Sequence, residues 1–180
     1  TVYLVDKKRA RKLRKKVSVS FLIPCYNDGN SVGDTIRSIY RSYGQDYTEV
    51  IVANDGSKDN SLKILKELRK KHHFHLVDNK KNIGKANTLN KIASLAKHEI
   101  LIVVDADTLV NKKSLHDVLA RFEGNHNLGG VSCPYRPSTN NNLLSLMQCI
   151  EYNMFTLVVG VYNIFSAIVL WGGFLAVRKK

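Results

Sequence analysis

Apolar residues along this chain keep two alternating rhythms. Short runs of β-branched and Leu residues at 17–23, 49–53, 74–77, 100–104 and 129–135 read as strands. Between them the spacing turns helical. Val32, Ile36, Ile39, Tyr40 and Tyr43 form one stripe, Leu62, Leu65 and Leu68 a second, and Leu89, Ile92, Ala93 and Ala96 a third. Residues 112–122 supply a further helix. This strand–helix alternation predicts an α/β fold with a mostly parallel sheet and helices on both faces. The run at 100–104, ILIVV, has no polar position at all, the pattern of a central strand buried on both sides. Turn formers crowd residues 24–30, and Ser31 to Asp34 has the spacing of a capping box at the first helix start.

The last quarter reads differently. From Tyr152 to Val177 the chain runs 26 residues without a charge, long enough for a transmembrane helix. Asn153, Thr156, Asn163, Ser166 and the pair Gly172–Gly173 interrupt that run. They favour an amphipathic helix over 143–161, a turn, and a strand over 173–177; the membrane span is the competing reading.

Charge divides the chain further. Of the net +13, eight Lys or Arg residues lie between Lys7 and Lys16, a stretch without an acid. The arm follows a short apolar tail at 1–5, as a positive-inside segment follows a membrane helix. Nucleic acid fits less well, because no aromatic side chain interleaves the arm to stack on bases. The sequence thus divides into a basic arm (1–16), a sheet-forming unit (17–135) and the start of another half (136–180). Thr1 in place of Met, and the absence of a terminating signal after Lys180, give the expectation of an excerpt from a longer protein. Cys25, Cys133 and Cys149, odd in number and widely spaced, form neither a disulfide framework nor a zinc motif, so a reducing compartment is expected. His72, His73 and His75 read as a basic helix end rather than a metal site.

Candidate chemistry collects at strand ends. Asp105 and Asp107 follow the ILIVV strand, at the edge where open α/β sheets bind ligands. Two carboxylates so placed suit a hard cation such as Mg²⁺ or Mn²⁺ accompanied by a diphosphate. The competing reading makes Asp107 the cap of the following helix. Asp55 ends the second strand in the same way. Lys85 stands at a helix start, where the dipole disfavours a cation, so an anion such as phosphate is its expected partner; a solvated surface lysine is the alternative.

Taken in order, FLIPCYNDGNSVGDTIRSI, VIVANDGSKDNS and NKKNIGKANTLNKIASLAKHEILIVVDADT resemble family 2 glycosyltransferases, the inverting enzymes of the GT-A fold. GKANTLN and WGGFLAVRKK are most similar to the membrane-embedded processive synthases of poly-N-acetylglucosamine, hyaluronan and chitin. The resemblance implies a GT-A, Rossmann-like sheet, incomplete at its C-terminal end. It makes 17–135 the donor-binding half and 136–180 the start of the acceptor side. It implies a UDP-sugar donor, UDP-GlcNAc or UDP-Glc, held by Pro24, Tyr26, Asn27, Asp28, Asp55, Lys85, Asp105 and Asp107. Tyr26 would stack on the uracil and Asp55 accept its imide hydrogen. Lys85 would lie near the nucleotide and Asp105 near the sugar and ribose, while Asp107 would bind Mn²⁺ or Mg²⁺. Gly172 and Gly173 would border the acceptor, a polysaccharide or a lipid-linked glycan. The cytoplasmic face of the cell membrane is the implied location, and no nucleic acid is expected as a partner.

Two departures stand out. Asn54 replaces the first aspartate of the family's acidic pair. The family's catalytic base and its Gln-x-x-Arg-Trp motif are also missing, so the base is expected beyond Lys180. The competing functions are a non-processive transferase of the dolichol-phosphate sugar synthase kind, and a module that binds nucleotide-sugar without transferring it.

Overall fold

Two strands at the middle of the sheet, β1 (Val19–Cys25) and β4 (Ile100–Val104), set the frame for everything else. A computed structural model describes residues 13, 15–133, 137, 142–164 and 173–179. Beside β1 lie β2 (Thr48–Asp55) and then β3 (His75–Asn79), all parallel. On the other side β4 pairs with β6 (Phe174–Arg178), which pairs with β5 (Gly130–Ser132), giving the order β3-β2-β1-β4-β6-β5. The helices between are α1 (Gly29–Tyr43), α2 (Ser61–Lys71), α3 (Lys85–Leu95) and α4 (Lys112–Gly124). α5 (Leu143–Ile164) precedes β6.

Strand alternation sends side chains to two separate cores. Phe21, Ile23, Val50, Val52, Ile102 and Val104 pack beneath α1, α2 and α4. Leu22, Ile51, Ala53 and Leu101 face α3 through Ile92 and Ala96. The chain steps outward from β1 to β3 and then returns to β4. The right-handed crossover rule places the returning helix, α3, on the opposite face. The reversal of direction leaves a switch point between β1 and β4, at the carboxyl ends of the parallel strands.

Several expectations need correcting. The mostly parallel sheet is confirmed, and the strand expected at 129–135 extends it as the short edge strand β5, but it does not pair with β4 directly. β6 slots between β4 and β5 and runs antiparallel to both, with Ile102 opposite Ala176 and Val131 opposite the same residue. The capping box at Ser31 does not form. α1 starts earlier, at Gly29, whose N–H donates to Ser61 Oγ at 2.8 Å. A Cβ at Gly29 would come within 2.7 Å of the Ser61 Cα, so the glycine is what lets α1 begin this close to α2. Asp34 pairs with Arg37 instead. α5 extends to Ile164, and among the described residues no helix is long and apolar enough to cross a membrane. Leu143, Met147, Ile150, Met154 and Leu157 make an apolar stripe along α5, but the stripe is exposed.

The basic arm is anchored at its end. Leu13 packs on the main core, Lys15 N–H donates to Glu123, and Lys16 Nζ lies 4.9 Å from the centre of the Tyr47 ring. The Tyr43 hydroxyl accepts from Val17 N–H and donates to Val17 C=O, both at 2.8 Å. The folded unit thus begins before residue 17. Tyr43→Phe removes both bonds and is expected to cost about 1–3 kcal/mol, read as a lower urea midpoint at unchanged slope. An unchanged midpoint would mean that Val17 is not held by this hydroxyl.

Candidate functional site

A cavity of about 290 Å³ opens at the switch point. β1 supplies Pro24 and Cys25 to its wall and the loop after it Tyr26, β2 supplies Asp55, and the turn after β4 supplies Asp105, Ala106 and Asp107. Asp28, Asn82 and Lys85 complete the lining. Seven of the residues singled out in the sequence therefore meet here: Pro24, Tyr26, Asp28, Asp55, Lys85, Asp105 and Asp107. Asn27 does not line the cavity, although both its neighbours do. Gly173 sits just outside, its C=O accepting from Asp105 N–H at 3.4 Å. Gly172 lies outside the described residues.

Asp55 is almost wholly buried, at 3% exposure, yet its surroundings keep it ionised. Its Oδ1 accepts from the Asn79 amide and from Ile83 N–H, and its Oδ2 from Gly84 N–H, each at 3.0 Å. Burial pushes the carboxyl up, but the bonds from Ile83, Asn79, Thr88 and Gly84 outweigh it and hold it below the usual range. A carboxylate offers about four acceptor positions, and hydrogen bonds already use three of them. Asp55 is thus first a clamp that fixes the loop ahead of α3, with about one position left for a further donor. Asn54 presents its amide to Asp78 Oδ1 at 2.7 Å, where an aspartate would set two carboxylates face to face. That contact gives a local reason for the departure at this position.

The turn after β4 is held by a stripe of hydroxyls on α1. Thr35 Oγ1 donates to Ala106 C=O and Ser42 Oγ to Val110 C=O, both at 2.8 Å, while Ser38 Oγ accepts from Val110 N–H at 2.9 Å. Thr35 and Ser42 are buried. These three residues were not singled out in the sequence. Their i, i+3, i+7 spacing on the apolar face of α1 was the available signal. Asp107 is exposed on this turn, and it caps nothing, because Asn111 caps α4 by accepting from Lys113 and Ser114 N–H. The helix-cap reading of Asp107 is therefore overturned.

Electrostatics make the rim acidic. Lys85 Nζ bonds Asp105 Oδ1 at 2.6 Å, an ion pair whose lysine side chain is still 55% exposed. Burial, then the charges of Asp107, Asp59 and Asp105, hold the Asp28 carboxyl above its ordinary range. Carboxylates crowded to that degree suit a hard divalent cation. Among the described residues no group of three or more His, Cys, Asp or Glu is arranged to hold one unaided. The remaining ligands would have to be water or phosphate, which is how Mg²⁺ is usually held. Cys25, buried in the wall, is pushed up to about 11, chiefly by burial, and is a neutral thiol rather than a nucleophile.

Residues 20–180 match the model of glycosyl transferase family 2. The chain belongs to that family. Its α/β sheet is that of the GT-A glycosyltransferases. It is 37% identical over 134 residues to the poly-β-1,6-N-acetyl-D-glucosamine synthase of Staphylococcus epidermidis, covering 74% of this chain and 32% of the relative. The Staphylococcus aureus synthase of the same name is 29% identical over 150 residues, or 83% of this chain and 36% of the relative. The chain therefore spans about a third of the curated relatives it matches. Among solved structures, the mannosyltransferase PcManGT from Pyrobaculum calidifontis, in complex with GDP-Man and Mn²⁺, superposes with a TM-score of 0.73 at 23% identity. That match covers 93% of this chain and 46% of the other. S. aureus TarS 1-349 in complex with UDP-GlcNAc gives a TM-score of 0.58 at 24% identity, over 70% and 36%.

Proposed function

We propose that this chain is the donor-binding part of a membrane-associated, inverting polysaccharide synthase that draws its sugar from UDP-N-acetylglucosamine. The observation that carries this is the cavity itself. It joins an exposed aromatic ring, an ammonium and the Asp105–Asp107 turn at the switch point of a family 2 sheet. Its 290 Å³ lies at the lower end of the range for small-molecule pockets. The names of the staphylococcal relatives and the UDP-GlcNAc complex of TarS support the choice of base and sugar.

In this reading Tyr26, 40% exposed, stacks on the uracil, and Asp55 shares its acceptor positions with the imide hydrogen. Lys85 turns from Asp105 to the diphosphate, and Asp107 binds Mn²⁺ or Mg²⁺, the cation seen in the PcManGT complex being Mn²⁺. A divalent ion there supplies positive charge that stabilises the departing diphosphate. Inversion needs a base at the acceptor hydroxyl. Glu151 is the one acid after β5, and it lies exposed on α5. The base is therefore assigned to sequence beyond these 180 residues, and the chain is expected to bind donor without transferring sugar. The Lys7–Lys16 arm suits an anionic leaflet on the cytoplasmic side, and the apolar stripe of α5 is a second surface unsuited to water.

Calorimetry of UDP and GDP, with Mn²⁺ or with EDTA, tests the reading beside a radiolabelled transfer assay. UDP should bind more tightly than GDP, and EDTA should weaken UDP by on the order of tenfold, a difference of about 1.4 kcal/mol. Asp107→Ala should remove the response to EDTA without lowering the unfolding midpoint, since its carboxylate is exposed and caps nothing. A preference for GDP would move the chain toward the mannosyltransferase side of the fold. Binding indifferent to EDTA in the parent protein would end the role of Asp107, and efficient sugar transfer would end the missing-base argument.

A further inference from the structure

Asn27 stands between two cavity-lining residues, Tyr26 and Asp28, without lining the cavity. Its φ of +56° is the sole positive value at a non-glycine residue among the described residues. Asparagine tolerates this region better than most residues, but glycine would meet the backbone need alone. The side chain has its own task. Its Oδ1 accepts from Lys58 N–H at 2.8 Å, while its backbone N–H donates to Ser57 Oγ at 3.0 Å. Ser57 N–H donates in turn to Asn54 Oδ1 at 3.3 Å, and the Asn54 amide reaches Asp78 at 2.7 Å. A continuous line of hydrogen bonds thus ties the loop after β1 to the loop after β2 and on to β3.

We propose that Asn27 and Ser57 form a clasp that fixes the loop after β1 against the loop after β2, acting as positioning residues for Tyr26. The inference rests on the UDP reading given above. Tyr26 and Asp55 both line the cavity and follow directly on Cys25 and Asn54, which are paired in neighbouring strands. Asp55 is fixed by its donors. Tyr26, 40% exposed, is held by the chain on either side of it, and on the C-terminal side that chain is the clasp. A ring already at the right distance loses less freedom when a base stacks on it, so the clasp acts by preorganisation. With the loops untied, the competent arrangement becomes a fraction of the ensemble, and affinity falls by that fraction.

The two halves of the clasp can be removed separately. Asn27→Gly keeps the backbone conformation and the N–H but deletes the acceptor for Lys58. Ser57→Ala deletes the acceptor for Asn27, and Ser57→Thr retains it. Hydrogen exchange without ligand is read first, on peptides covering 26–28 and 56–58. Exchange should quicken there in Asn27→Gly and Ser57→Ala, and stay unchanged in α4. UDP affinity, measured by calorimetry with Mn²⁺, should fall about tenfold in each of these two and stay within about twofold in Ser57→Thr. Unchanged exchange in both loops would overturn the clasp whether or not UDP is the ligand. Faster exchange with unaltered UDP affinity would reduce it to a structural tie and overturn the positioning role. Failure of the parent protein to bind UDP would overturn the nucleotide assignment, and with it the positioning role, leaving the tie to the exchange result.

Discussion

Replacing Gly56 by alanine will cost the protein about 3 kcal/mol or more and remove most of its nucleotide affinity. Gly56 follows Asp55 with φ at +67°, a region that costs other residues about 1–2 kcal/mol. Strain is the smaller part. A Cβ here would come within 2.4 Å of Asn82 N and of the Lys81 carbonyl carbon, both backbone atoms. Neither can swing aside as a side chain would, so residues 81–82 must move. Asn82 lines the cavity, and the next two residues donate to Asp55. The displacement therefore reaches the cavity wall and the clamp together. Gly44→Ala isolates strain without close approach. Its φ of +88° and ψ of 165° lie where only glycine is at ease, and nothing stands within 4 Å, so it should lose backbone strain alone, about 1–3 kcal/mol. Urea unfolding of both variants separates the two costs. A loss at Gly56 no larger than about 1–2 kcal/mol, the cost of its own φ, would show that the approach of 81–82 carries no weight.

Asp55→Ala should be of similar size, for a different reason. It leaves the Asn79 amide and the Ile83 and Gly84 N–H groups without their acceptor. Each buried donor left unsatisfied costs roughly 1–3 kcal/mol, so a loss on the order of 3–5 kcal/mol is expected. UDP binding should fail with it, because loop 82–84 no longer has a fixed place. The charge of Asp55 also has a pH signature. Its folded pKa is lowered, so its stabilisation is fully present above the unfolded value of about 3.9. That stabilisation disappears as pH falls through the still lower folded value. Asp55→Asn should flatten the acid limb of the stability curve relative to the parent. An acid limb of unchanged slope would mean that the carboxylate is not held ionised by these donors.

How much of this was legible in the sequence depends on how local each cause is. ILIVV ending in Asp105 could be read directly, because a wholly apolar strand stopped by an acid outlines a central strand at a ligand-binding edge. The start of α1 was misread because Ser31 and Asp34 carry a capping pattern. The deciding fact was the approach of Gly29 to Ser61, 32 residues away. Asp55 was recognised as a site residue, but its clamping by Asn79, Ile83 and Gly84 depends on how β2, β3 and α3 converge. Thr35, Ser38 and Ser42 share the apolar face of α1, which marks them as inward-facing but does not name what they bind. Their partners lie about 70 residues later, which no local pattern shows. The strand at 173–177 was foreseen nearly to the residue, whereas its place inside the sheet was not. Apolar alternation says that a segment is extended, and says nothing of which neighbour it will pair with.

The placement of β6 has a consequence for how the molecule is made. On the ribosome β1 to β4 emerge before the rest of the sheet, and their parallel pairs can assemble with α1 to α4 while the chain is still growing. β5 emerges next and finds no strand to join, because its neighbour has not yet been synthesised. Until Phe174–Arg178 arrives, β4 presents a bare edge of unpaired amides, the kind of edge that invites pairing between nascent chains. The arrival of β6 covers that edge, captures β5, and brings Gly173 C=O to Asp105 N–H. The turn that carries both carboxylates is thus finished by a strand translated long after it. The nucleotide binding proposed above should therefore lag well behind the synthesis of the residues that line the cavity, and appear in one step as the sheet zips shut.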